Sequence, residues 1–124
     1  MSVKSLETLN TWVKAKEFVL RVYREVVPLL PVDEKWSMAQ QIRRSSNSIP
    51  ANIAEGYDRF HYLDNAKFCS NARGSCYETL DHLITANDEE MISTEMLSTG
   101  RNLVNEAGKI LNGYIKYLQS KAST

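Results

Sequence analysis

The chain has 124 residues, enough for one domain and too few for a second of ordinary size. Its 43% apolar content supports a buried core, and 15 basic residues balance 15 acidic ones. Zero net charge argues against a polyanion binder driven by bulk positive charge, while leaving room for a local basic patch. Five glycines and three prolines are too few for a turn-rich all-β fold.

The first predicted helix covers about 5–27. Leu6, Leu9, Trp12, Val13, Phe18, Val19, Val22, Tyr23 and Val26 recur at spacings of three and four, with Lys14, Lys16, Glu17, Arg21, Arg24 and Glu25 between them. Pro28 and Pro31 end it. The second covers about 33–58, with Asp33 as its expected N-cap and Trp36, Met38, Ala39, Ile42, Ile49, Ile53 and Ala54 as its apolar marks. Pro50 lacks a backbone donor and crowds the carbonyl of Ser46, so a kink is expected there. The apolar spacing continues past Pro50, which reads as one kinked helix, with Gly56 as a C-cap candidate.

The third helix is expected over about 62–86, its stripe built from Ala66, Cys69, Ala72 (or Arg73), Cys76, Leu80, Leu83 and Ile84, with Gly74-Ser75 permitting close helix approach. An acidic turn follows. The fourth covers about 93–118, capped by Ser93 or Thr94. Leu103, Val104, Ala107, Ile110, Leu111, Tyr114, Ile115 and Leu118 form the clearest periodic series in the chain. Gly100, Gly108 and Gly113 each cost about 1 kcal/mol in a helix, a cost that tight helix packing would offset. The polar tail after Leu118 is expected to fray.

Four long amphipathic helices with short connections predict an all-α, antiparallel up-down-up-down four-helix bundle occupying residues 1–124 as one domain. The apolar stripes on the first and fourth helices are wider than a monomer requires. Trp12, Phe18, Tyr23, Tyr114 and Tyr117 are not all expected to fit inside, so a homo-oligomer is expected. No apolar run reaches the roughly 18 residues of a membrane span. Met1–Ser5 opens no signal peptide. Cys69 and Cys76 lie about 10 Å apart along one helix, too far for a disulfide. Free thiols and the missing leader predict a cytoplasmic protein.

No catalytic or metal-binding constellation emerges. His61 and His82 belong to no HExxH pair or zinc spacing, no Glu-x-x-His pair suits a di-iron bundle, and there is no phosphate loop or nucleophile elbow. No enzyme activity, cofactor, metal or small-molecule substrate is therefore expected. An active site at a subunit junction would instead require a buried, strongly perturbed Glu55 or His61.

The segment Gln40–Gly56 breaks ordinary helix patterning, and such stretches tend to set function or specificity. Three readings stand. Asn52 and Glu55 point inward and fix the bundle register. Arg43 and Arg44 form an anion-binding patch multiplied by oligomer symmetry. Or the charges are a solvated face. Arg59, four residues after Glu55, can pair with it. Tyr57, Phe60, His61 and Tyr62 beside Arg59 either stack on unpaired bases or pack the connection between helices. Lys14 and Arg21 on the first helix complete the candidate nucleic-acid or partner-binding set with Arg43, Arg44 and Arg59. Asn52, Glu55 and Pro50 form the candidate structural motif.

The run Gln41-Ile42-Arg43-Arg44-Ser45-Ser46-Asn47-Ser48-Ile49-Pro50-Ala51-Asn52-Ile53-Ala54-Glu55-Gly56 resembles the bacterial four-helix-bundle family of 23S rRNA intervening-sequence proteins. Leu9, Trp12 and Ala15, then Phe68, Gly74-Ser75 and Glu78, then Gly113-Tyr114-Ile115 with Leu118 extend the likeness over nearly the whole chain. The resemblance implies a small bundle assembled as a pentameric ring, often encoded within large-subunit rRNA genes. A related branch comprises the accessory variability determinants of diversity-generating retroelements, which bind a reverse transcriptase and nucleic acid through the ring. Arg43, Arg44, Asn52 and Glu55 are the motif positions carried over, with no catalytic role implied. That branch is markedly basic and this chain is neutral, which favours a protein partner or a narrow basic patch. The resulting expectation is a non-catalytic module of a ribonucleoprotein. Its partners would be its own copies, a reverse transcriptase and its RNA, or rRNA. The alternative is a protein-only scaffold.

Overall fold

The computed structural model describes residues 5–123; the reading of the N-terminus at Met1–Lys4 lies outside them. A short 3₁₀ turn (Leu6–Thr8) precedes helix α1 (Asn10–Arg21), which continues through a π turn (Val22–Val26) and a 3₁₀ turn (Val27–Leu29). Then come a 3₁₀ turn at Val32–Glu34, α2 (Met38–Tyr57), α3 (Tyr62–Asp88) and α4 (Thr94–Ala122). The described residues contain no strand. Successive helices pack on one another and α1 closes against α4, giving an antiparallel four-helix bundle. The connections α1–α2 and α3–α4 therefore share one end, on opposite edges.

The core is aliphatic and small. Phe18, Val22, Ile42, Ile49, Ile53, Leu83, Leu111 and Leu118 interleave with Ala15, Ala39, Cys69, Ala72, Cys76 and Ala107. Helix ends follow local chemistry. Ser93 Oγ accepts the Met96 N–H at 3.1 Å, capping α4. At the other end of α3, Glu90 takes φ 62°, the Met91 N–H reaches the Ala86 carbonyl at 2.8 Å, and the Glu90 N–H reaches Asn87 at 3.0 Å. This is a Schellman closure with a non-glycine residue at its left-handed position.

Several expectations are corrected. Asp33 does not cap α2; it lies in the preceding 3₁₀ turn. The Glu34 carboxylate instead accepts the Met38 N–H at 3.3 Å and the Ser37 hydroxyl, and so sets the helix start at Met38. Trp36 consequently lies outside the apolar stripe, 78% exposed. As expected, the large side chains on α1 and α4 do not all fit inside. Phe18 is buried, Trp12 and Tyr114 pack half-buried on the core, and Tyr23 and Tyr117 are exposed. The most exposed apolar side chains, Val32 at 90% and Phe60 at 94%, sit on connections instead. Helical structure continues past Leu118 to Ala122.

The glycines divide by packing. Gly56 does not cap α2: it sits within the helix without positive φ. A Cβ there would lie 2.6 Å from Asn65 Oδ1, 2.9 Å from Phe68 Cβ and 3.0 Å from the Asn65 carbonyl. Gly100 likewise faces Leu83 Cδ1 at 2.7 Å, whereas Gly74, Gly108 and Gly113 have open space around them. Close packing within the chain thus explains Gly56 and Gly100 and not the other three.

Gly56→Ala should destabilise by about 1–3 kcal/mol, since backbone and Cβ atoms must move. Gly108→Ala should stabilise by up to about 1 kcal/mol through helix propensity. Urea unfolding midpoints of the two variants should move in opposite directions. Burial also pushes the Cys69 thiol up to about 11 and Cys76 to about 12, from an ordinary 9.0. Both should stay protonated and resist Ellman's reagent at neutral pH until the chain unfolds. Above about pH 9 the unfolded chain ionises these thiols before the folded one does, so folding stability should fall as pH rises through 9 to 12.

Candidate nucleic-acid or partner interface

The unusual segment of α2 lies where α2 meets α3, and its serines form the contact. Ser45 and Ser46 continue the buried stripe of Ile42, Ile49 and Ile53, and both are fully buried. Thr79 of α3, equally buried, has its Oγ1 2.9 Å from both Ser45 Oγ and the Ser75 carbonyl, its one proton shared between them. Ser48 donates to Ser75 Oγ, and Ser46 to the Arg43 carbonyl at 3.3 Å. Among the described residues no buried side-chain nitrogen or oxygen lacks a partner. Small hydroxyls thus bring two backbones close while satisfying each other.

The proposed register pair behaves otherwise. Asn52 Nδ2 donates to the Ser48 carbonyl of its own helix at 2.8 Å. Glu55 is exposed and pairs with Arg59 at 3.0 Å. Neither crosses the bundle, because both lie off the buried stripe. Pro50 is buried inside α2, which runs through it as one helix. Buried and half-buried polar links between helices come instead from Ser45, Ser48, Ser75, Thr79 and Asn65. Asn65 Nδ2 reaches Tyr114 Oη on α4 at 3.4 Å. Sequence reasoning passed over these residues, although Ser45 and Ser46 fall on the same three-to-four spacing as the isoleucines.

Arg43 and Arg44 do not form one patch. Consecutive helical residues point about 100° apart. Arg44 turns to α3, where it bonds Glu78 and is braced by Gln41 Oε1 at 3.0 and 3.2 Å. His82 Nε2 approaches the same Glu78 oxygen at 3.3 Å. Arg43 turns to α1, its guanidinium 5.9 Å from the centre of the Tyr23 ring. The other candidate cations are also engaged. Lys14 pairs with Glu17 at 3.5 Å and Arg21 with Glu25 at 2.6 Å, both along a groove between α1 and α4 that also carries Glu106. Arg59 lies over the Phe68 ring at 4.6 Å besides its Glu55 contact. Among the described residues Arg43 alone of the five has no carboxylate partner.

Phe60 meets His61 edge-on at 5.1 Å, and both are exposed with Tyr62 and Leu63. They extend outward rather than packing the connection. Glu55 and His61 are both exposed in the single chain. Among the described residues no group of three or more His, Cys, Asp and Glu is placed to hold a metal. Nor is any helix long and apolar enough to cross a membrane.

The hydrogen bond from Arg44 holds the Glu78 carboxyl below its ordinary 4.5, with a smaller contribution from His82. A depressed carboxylate stabilises the fold above its unfolded pKa and loses that contribution as pH falls through the folded value. Glu78→Gln should therefore flatten the decline of stability below about pH 4.5. At neutral pH its cost should stay under about 1 kcal/mol, because the pair is partly exposed and screened. Urea unfolding across pH 3–7 measures both.

Residues 7–113 match the family model described as 23S rRNA-intervening sequence protein. A crystal structure of a protein of unknown function from the S23 ribosomal protein family of Bacteroides thetaiotaomicron superposes with a TM-score of 0.77 at 29% identity. The alignment covers 86% of this chain and 95% of that one. No match was found among curated proteins. With the family model spanning most of the bundle, the chain belongs to the 23S rRNA-intervening sequence protein family.

Proposed function

We propose that the protein is a non-catalytic, self-assembling binding module of a cytoplasmic ribonucleoprotein. The observation that carries this reading is the set of large apolar side chains left in solvent: Val32, Trp36, Phe60, Leu63 and Tyr77 among them. Contiguous exposed apolar surface usually marks a contact with another macromolecule, and Phe60, Tyr62 and Leu63 follow one another closely at the α2–α3 connection, as Val32 and Trp36 do before α2. Family membership and the likeness to a protein of the S23 ribosomal protein family support an RNA setting. In its finer form the assembly is a pentameric ring. Its partner is either rRNA or a reverse transcriptase with its RNA, of the diversity-generating retroelement type.

A protein-only scaffold is favoured by one specific observation: four of the five candidate cations are already paired with carboxylates. On that reading Arg43 and Arg44 structure the oligomer alone.

Light scattering on a sizing column, with and without a structured RNA at low salt, tests the proposal. The expected result is a mass near five times the 14.1 kDa chain that increases with RNA. A ring indifferent to RNA supports the scaffold, and a monomer overturns the assembly reading. Reversing both charges, Arg43→Glu with Arg44→Glu, should leave the ring intact and abolish RNA binding. Dissociation of the ring instead favours the scaffold.

A further inference from the structure

Where α1 hands over to α2, the chain forms an open groove of about 340 Å³. Tyr23, Pro28, Pro31, Val32, Lys35 and Arg43 are among its walls, and no carboxylate lines it. Trp36 follows Lys35 in sequence; its ring is largely exposed, with Lys35 Nζ 5.0 Å from the ring centre. The nearby Glu34 carboxylate is committed to Ser37 and the start of α2. Lys35 and Arg43 are the charged groups on the groove wall itself, while Asp33 and Glu34 lie in the turn beside it.

We infer that this groove binds an unpaired stretch of RNA, with a base stacked on Trp36 and the flanking phosphates held by Lys35 and Arg43. The inference rests on the ribonucleoprotein reading and gives it a site. Three observations converge. An exposed indole offers a flat π-face, on which any base can stack without sequence preference. Two cations stand beside aromatic rings, Lys35 at Trp36 and Arg43 at Tyr23, so phosphate charge and base stacking are served from adjacent positions. Finally, Arg43 is the candidate cation that no carboxylate neutralises, whereas Arg44 on the next residue is consumed by Glu78. A duplex hides its base faces, so the groove should select single strands. The tight turn through Pro28 and Pro31 holds the walls in place, since proline fixes φ at both positions.

The test is fluorescence anisotropy of the full chain with a labelled, unstructured RNA of about twelve nucleotides, within the site sizes of such binders. A duplex RNA of equal length and inorganic polyphosphate serve as competitors, and light scattering follows each variant's mass. The wild-type chain should prefer the single strand, with polyphosphate competing weakly. Trp36→Ala should weaken binding about tenfold or more, and Trp36→Phe should retain most of it. Arg43→Gln should weaken binding and lower the salt dependence by about 0.7 in log–log slope, the share of one phosphate contact on a single strand. Lys109→Gln, on the exposed side of α4, should change little.

If RNA binds and Trp36→Ala and Arg43→Gln leave affinity unchanged, the inference fails while the ribonucleoprotein reading stands. If no RNA binds the wild-type chain, that reading fails as well. If Trp36→Ala dissociates the assembly, the groove is an interface between copies and the inference is overturned. If polyphosphate or duplex competes as well as the single strand, base stacking is overturned.

Discussion

Everything in this bundle depends on how closely α2 approaches α3. Two long helices draw near only if the facing side chains are small, and here they are Ser45, Ser48 and Gly56 against Thr79, Ser75 and Asn65. Burying hydroxyls costs free energy unless each finds a partner. Ser45 and Thr79 bond one another, while Ser45 and Ser46 also return bonds to carbonyls of their own helix. The serine-rich run, a poor helix by intrinsic propensity, is therefore stabilised as a helix by the partner it packs on.

That contact also determines where the arginines go. With Ile42, Ser45, Ser46 and Ile49 facing inward, Arg43 and Arg44 are left on opposite flanks of the buried stripe. Arg44 is drawn to Glu78 and His82 on α3, and Arg43 to Tyr23 on α1. Asn47 Nδ2 bonds the Tyr23 hydroxyl and anchors that ring. One side of α2 thus becomes a closed polar seam and the other the wall of an open, carboxylate-free groove. Adjacent residues of one motif acquire different chemical surroundings because a helix separates consecutive side chains by about 100°.

The number of helices, their order and most of their buried faces were legible from periodicity, because a core of Ile, Leu, Val and Ala leaves a plain three-to-four signal. The family likeness was legible in the run from Gln41 to Gly56. Less legible were the ends. Asp33 and Trp36 look like the beginning of α2 by residue type, yet Glu34 reaches forward and starts the helix at Met38. Gly56 looks like a terminator by type, yet its role is to let Asn65 and Phe68 come close. The first depends on which of two adjacent carboxylates turns toward the helix start, and the second on side chains of the next helix, neither of which residue type alone specifies.

The candidate site shows the same division. The sequence by itself determined an all-helical chain with an apolar stripe on each helix, a neutral overall charge and a set of five cations worth asking about. Helical period and composition are local properties, and they survive without coordinates. Helical spacing also placed Glu17, Glu25 and Glu55 within reach of Lys14, Arg21 and Arg59. Only the tertiary structure decided that Arg44 is paired with Glu78, that Asn52 and Glu55 do not cross the bundle, and that Arg43 opens onto a groove close to Lys35. The reason is physical: whether a charge is neutralised depends on what lies within a few ångströms of it, and that is fixed by which helices become neighbours.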